Sequence, residues 1–353
     1  MKKQLVMNLQ HFADILEVFT KKDILDYTRN RAYPEMLGDT LFPSRKTQSL
    51  ELDQINAGSM TPVIAPVSAF DSEAEIGSRE ASAQTLELAL IKRKMQIKEK
   101  DLIALQNPRT PQEGEYLQGR VYNDIDTLVQ GVQARAEKMT MEMLSTGKIT
   151  IKGNGLEANL DYSVDKKHQA ALSGAESWTN DASDPIKNLE NWSDSLDVAP
   201  TRVLTSNKIL RIFMRHPKVI AAIFGKDSGR TIGMADLDSF MQAHGLPVIR
   251  TYDNKYKTQD KNGKYISERY FPENSFVMMN DDLLGEKVWG PTPEEIALTG
   301  AGDVESSMIG NVYAGIYRST IDPVGTWTKA SGLMIPSFAA VDEVFQATID
   351  LTK

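Results

Sequence analysis

A chain of 353 residues with 41% hydrophobic and 25% charged residues can bury a sizeable core, which excludes wholesale disorder. It has no cysteine, so disulfides, thiolate metal sites and a cysteine nucleophile are excluded. Its formal net charge of −8 argues against sequence-specific DNA binding, which usually needs a basic face.

The opening Met1-Lys2-Lys3-Gln4-Leu5-Val6-Met7 is basic and then briefly apolar, but Asn8, Gln10, His11 and Asp14 interrupt it too early for a signal peptide. No window approaches the roughly 18 apolar residues of a membrane span, so the expected place of synthesis is the cytosol of the producing cell. Phe12, Ile15, Leu16 and Phe19 fall at helical spacing, and Thr20-Lys21-Lys22-Asp23 resembles a capping box before Ile24, Leu25 and Tyr27. Pro34 and Pro43 break the segment beyond Tyr27, so the first 50 or so residues read as an arm that must lie on another surface.

Thr61 to Val67 is extended and proline-bearing, and Thr85 to Leu90 is a second strand-like run. Between them lies a polar tip with Asp71, Glu73, Glu75 and Arg79. Together they predict a long two-stranded ribbon, which is marginal in water without a partner surface. The basic run Lys92-Arg93-Lys94, with Lys98 and Lys100, is the sharpest charge feature; with few aromatics interleaved, it reads as a strip facing an acidic neighbour.

Thr110-Pro111-Gln112-Glu113 combines a cap, a proline at the first helical position and a glutamate three after the cap. Leu117, Val121, Ile125, Leu128, Val129, Val132, Ala136, Met139 and Met143 then share one face, and Gly147 ends the helix. From Pro111 to Thr146 the helix would be roughly 54 Å long, with Gly114, Gly119 and Gly131 as weak points. Gly153-Asn154-Gly155 predicts a hairpin turn between Ile149-Lys152 and Leu156-Leu160.

Residues from about Ala199 to Asp303 read as an α/β unit. It has strands at Thr201-Leu204, Val248-Tyr252 and Phe276-Met279. Its helices are one from Ser206 to Gly225, interrupted by Pro217, and one from Met234 to His244; a hairpin turn falls at Lys261-Lys264. Tyr313-Tyr317, an Asp322-Pro323 turn, Met334-Phe338 and Val344-Ile349 close the chain as extended structure.

The residue types of a catalytic site do not converge. His11, His168, His216 and His244 are not at metal-ligand spacing and read as surface or capping residues. The run from Gly225 to Thr231 lacks the spacing of a phosphate loop, and Gly300-Ala301-Gly302-Asp303 lacks the rest of a dinucleotide fingerprint. There is no nucleophile elbow, and Asp281-Asp282 reads as a pair of solvated turn acids. No catalytic residue, cofactor or metal is assigned; the parts are those of a subunit completed by its neighbours.

That order of parts resembles the lambda-like major capsid protein E family, with the Hong Kong 97 phage shell fold. The resemblance is carried by Glu75-Ile76-Gly77-Ser78-Arg79 at the loop tip, the helix from Pro111, and Trp178 with Asp184-Pro185. It is carried further by Asn262-Gly263-Lys264, Tyr270-Phe271-Pro272-Glu273-Asn274 and Val277-Met278, and by Met334-Ile335-Pro336-Ser337 followed by Asp342-Glu343-Val344-Phe345.

The resemblance implies an α+β fold. Its parts would be an N-terminal arm (1–55), an extended β-loop (56–105), a peripheral domain with a long spine helix (106–165 and 315–353) and an axial α/β domain (166–314). It also implies a virion shell of hexamers and pentamers rather than an enzyme. The implied partners are a separate scaffolding protein, a portal protein, a decoration protein and double-stranded DNA held without sequence-specific contact, with no membrane. Lys92, Arg93, Lys94, Asp71, Glu73, Glu75 and Arg79 become the candidate intersubunit contacts. An encapsulin-like compartment or tail component, and a nucleotide- or sugar-binding enzyme using the α/β unit, are the alternatives.

Overall fold

The computed structural model describes residues 33–57, 81–106, 108–153, 156–226, 228–260, 263–298, 304–319 and 325–352. In chain order they form α1 (Leu37–Leu41), β1 (Ser44–Lys46), β2 (Glu51–Ala57), β3 (Ala81–Glu87), β4 (Ala89–Ile97), α2 (Glu99–Gln106) and α3 (Pro111–Thr146). Next come β5 (Lys148–Gly153), β6 (Leu156–Asp161), β7 (Gln169–Leu172), α4 (Pro185–Asp194), β8 (Arg202–Thr205), α5 (Asn207–Arg215), α6 (Pro217–Phe224) and α7 (Met234–Ala243). The rest are β9 (Val248–Thr251), β10 (Lys255–Gln259), β11 (Tyr265–Arg269), β12 (Ser275–Met279), β13 (Lys287–Gly290), α8 (Pro293–Leu298), β14 (Val304–Ile309), β15 (Val312–Ser319), β16 (Gly325–Pro336) and β17 (Phe345–Ile349). The expected arm helices before Tyr33, the Thr61–Val67 strand, the loop tip and the Asp322-Pro323 turn lie outside the described residues.

Helix α3 forms as its sequence signals dictate. The Thr110 hydroxyl accepts from the Glu113 amide at 3.2 Å, Pro111 occupies the first turn, and Gly147 caps the C-terminus at φ 67°, where a side chain would be strained. The three internal glycines do not break it. Its apolar stripe lies across a six-stranded sheet of order β1-β13-β16-β15-β14, with β4 on the other edge of β16. Val121, Ile125, Leu128, Val129, Val132 and Ala136 pack there against Trp289, Ile316, Ala330 and Met334. A Cβ on Gly332 would stand 2.9 Å from Val132 and 2.8 Å from Trp289, so the glycine is what lets the helix come this close.

The second body is a five-stranded sheet of order β7-β17-β12-β8-β9. Its centre, β12, is buried at every position, and helices α4 to α7 cover a core around Trp178, Leu189, Phe213, Leu237 and Met241. Trp178 has its ring 5.1 Å from Phe276, and Trp192 stacks on Phe345, also at 5.1 Å. A third cluster, with Phe42, Met143, Tyr162, Val277 and Phe338, joins this body to the six-stranded sheet.

Three expectations are corrected. Phe345–Ile349 closes the five-stranded sheet, pairing β12 and β7, and not the peripheral one; its Phe345 and Ile349 belong to the core around Trp178. Conversely, β13 and β14, expected within the axial unit, are strands of the six-stranded sheet. The run Thr85 to Leu90 is not one strand: it divides at Leu88, so that Glu51–Ala57 and Ala81–Glu87 form the ribbon while Ala89–Ile97 enters the six-stranded sheet. Leu88, Ala89 and Ile97 are buried there, which anchors the strand in the body.

Candidate functional site

The basic run therefore sits on β4, in register with β16: Lys92 faces Ser331, Arg93 faces Ala330 and Lys94 faces Lys329. Because side chains alternate along a strand, Lys92 and Lys94 share one face and Arg93 takes the other. The first face is already engaged. Lys92 Nζ lies 2.9 Å and Lys329 Nζ 2.5 Å from Glu294 Oε1, while the Ser331 hydroxyl donates to Oε2 at 3.0 Å. Burial works against ionising Glu294, but the hydrogen bonds from Lys329 and Lys92 more than offset it and hold the carboxyl at about 2. Lys94 Nζ stands 4.2 Å over the Trp327 ring. Arg93 lies on the α3 side, 3.8 Å from the Cβ position of Gly131. Asp71, Glu73, Glu75 and Arg79 are outside the described residues.

A second charged constellation escaped the sequence reading. Glu137, on α3, is fully buried, and four segments converge on it. Lys287 Nζ donates to its Oε2 at 3.0 Å, the Tyr252 hydroxyl to its Oε1 at 2.9 Å, and the Gly38 amide to Oε1 at 3.0 Å. Lys287, itself 2% exposed, also reaches Asp39 Oδ1 at 2.8 Å. Burial first, then the charge of Glu137, raises the Tyr252 hydroxyl well above its ordinary value. This cluster fastens α1, α3, β13 and the end of β9 to one point. The sequence signal was an acid inside the most apolar part of α3, with nothing to identify its partners.

The histidines hold structure. His216 and His168 are buried, which corrects their surface reading. His216 caps α6, its Nδ1 accepting from the Lys218 amide, so Nε2 carries the proton toward the Asn180 carbonyl at 3.1 Å. His168 Nε2 lies 3.2 Å from the Ser195 carbonyl, and His244 sits at the C-terminus of α7 as expected. Asp281 is 3.5 Å from Arg202. Among the described residues no group of three or more His, Cys, Asp or Glu side chains could hold a metal ion, and no helix is long and apolar enough to cross a membrane.

Between β4, α3 and the β10–β11 hairpin runs a groove of about 850 Å³. Ile91, Met139 and Tyr256 lie along it, and its cations are Lys92, Arg93, Arg135, Lys138 and Lys257.

The sequence matches the profile of the family described as phage major capsid protein E over residues 20–349. No curated protein matches it. Among solved structures it is similar to one described as the capsid protein of a prophage of E. coli CFT073, with a TM-score of 0.62 at 15% identity, covering 94% of this chain and 99% of that one. It is also similar to a phage-related protein from Bordetella bronchiseptica RB50, with a TM-score of 0.54 at 12% identity and coverage of 93% and 96%.

Proposed function

The chain belongs to the phage major capsid protein E family, and from that membership we propose that it is the subunit of an icosahedral, DNA-containing head of a tailed bacteriophage, built through hexamers and pentamers. Its fold is the Hong Kong 97-type phage capsid fold, and its place is the virion. The observation that carries the reading is the extent of the family match, which takes in both sheets and the long helix between them rather than one motif.

The family is one of shell proteins, so the work of the chain is assembly, not catalysis. In this reading the six-stranded sheet with α3 is the peripheral domain, the five-stranded sheet with α4 to α7 is the axial domain, and β2–β3 is the base of the extended loop. The partners are a scaffolding protein during assembly, a portal protein at one vertex, a decoration protein, and double-stranded DNA held without sequence-specific contact. Lys92, Arg93 and Lys94 on one side, and Asp71, Glu73 and Glu75 on the other, with Arg79, are the proposed intersubunit contacts; their charges set interface register more than subunit stability.

Sedimentation of the purified full chain tests the reading: the expected species is a large multimer whose interior DNA resists nuclease. A persistent monomer, or a shell holding protein cargo instead, contradicts it.

A further inference from the structure

The groove between β4, α3 and the β10–β11 hairpin is lined by five cations and by no carboxylate, on a chain whose formal net charge is −8. Lys92 and Lys138 are neutralised within the chain, by Glu294 at 2.9 Å and Glu142 at 3.2 Å. Arg93, Arg135 and Lys257 are exposed and form no ion pair among the described residues. They come from three different elements, and Ile91 and Tyr256 beside them are apolar and only partly buried. A cationic rim over an apolar floor selects an occupant that is acidic along one side and apolar along the other.

We propose that this groove receives the acidic stretch Asp71–Glu75 of a second copy of the chain. The proposal rests on the shell-subunit reading above and names the receptor for those acids. In the sequence Asp71, Glu73 and Glu75 occupy every second position, with Ser72, Ala74 and Ile76 between and beyond them. A stretch bound in extended form turns alternate side chains to opposite sides, about 7 Å apart on each side. Three carboxylates then face the rim while Ala74 and Ile76 face the floor. Arg93, not Lys92 or Lys94, is the member of the basic run free to take part, because Glu294 and the Trp327 ring occupy the other two. Between copies that are each acidic overall, a basic groove concentrates attraction at one place and fixes register there.

The test reverses charge on each side separately and then together, in the full chain under conditions in which the wild type forms shells. Arg93→Glu with Arg135→Glu and Lys257→Glu, and separately Asp71→Lys with Glu73→Lys and Glu75→Lys, are each expected to lower shell yield at least about tenfold. Combining all six restores it. Circular dichroism and the thermal midpoint of the unassembled subunit stay at wild-type values, since the groove cations are exposed. Wild-type shell yield from either triple variant, or no recovery in the combination while both triples fold, overturns the proposal. A changed monomer midpoint in both triples, restored in the combination, assigns the contact to one chain and overturns it as well. Normal shells that lose only their DNA assign the groove to phosphate and do the same. A wild type that forms no shells defeats the shell-subunit reading instead, so the two failures are distinguishable.

Discussion

Lys287 Nζ lies 3.0 Å from Glu137 Oε2, with the lysine side chain 2% and the glutamate 0% exposed. The two residues are separated by 150 positions in sequence. Their pairing ties a strand of the six-stranded sheet to the helix that crosses it, and Tyr252 extends the tie toward the five-stranded sheet. Removing one partner of such a pair leaves a buried charge uncompensated, which costs about 3–5 kcal/mol. Lys287→Met is therefore expected to lower subunit stability by about that amount in chemical denaturation. Adding Glu137→Met to it should recover part of the loss, because an apolar pair of similar volume removes the stranded charge. A double variant less stable than Lys287→Met would show that the Tyr252 and Gly38 hydrogen bonds matter more than the ion pair.

Glu294 gives a pH dependence with a definite sign. Its folded-state value of about 2 lies below the ordinary 4.5, so the unfolded chain binds the proton first as pH falls. Its contribution to stability is complete above about pH 4.5 and is lost between there and about pH 2. Glu294→Gln should flatten the urea midpoint over that window relative to wild type. An unchanged acid slope would mean that the Lys92 and Lys329 contacts do not hold in solution.

Trp178 is 1% exposed, with its ring 5.9 Å from Trp192 and 5.4 Å from Phe213. Trp178→Ala leaves a large void among these rings and is expected to cost about 3–5 kcal/mol. The loss should fall on the five-stranded body, seen by hydrogen exchange as faster opening of β12 and β17. Uniform loss of protection over α3 as well would contradict two separately packed bodies.

Gly332→Ala tests the contact between helix and sheet. The added Cβ would press on Val132 and Trp289, and overpacking of this kind costs about 1–3 kcal/mol. A neutral thermal midpoint would show that α3 can shift away from β16 without penalty.

Legibility in the sequence depended on how local each signal is. Helix α3 was legible from end to end because Thr110, Pro111 and Gly147 mark its limits within a few residues of themselves, and its stripe repeats along one face. The hairpin at Lys148–Asp161 and the capped helices after Ser206 were legible for the same reason. Sheet membership was not. Phe345–Ile349 reads as a strand, but nothing in it says that Phe345 will stack on Trp192, far back in the chain, instead of following β16. β13 and β14 are short and lie next to an α/β unit, so chain proximity assigned them wrongly. For the basic run, composition found the charges, but only the pairing of β4 with β16 showed which of them Glu294 and Trp327 already hold. Glu137 stood in plain view inside an apolar stretch, yet its partner Lys287 could be identified only once β13 was placed beside β16.

Electron microscopy of the purified full chain, assembled with its scaffolding protein, asks directly whether the chain is a shell subunit. A shell subunit gives closed icosahedral particles whose map places the groove at Arg93, Arg135 and Lys257 against a neighbouring copy. Only monomers or open, irregular aggregates of a folded chain under those conditions would contradict that role.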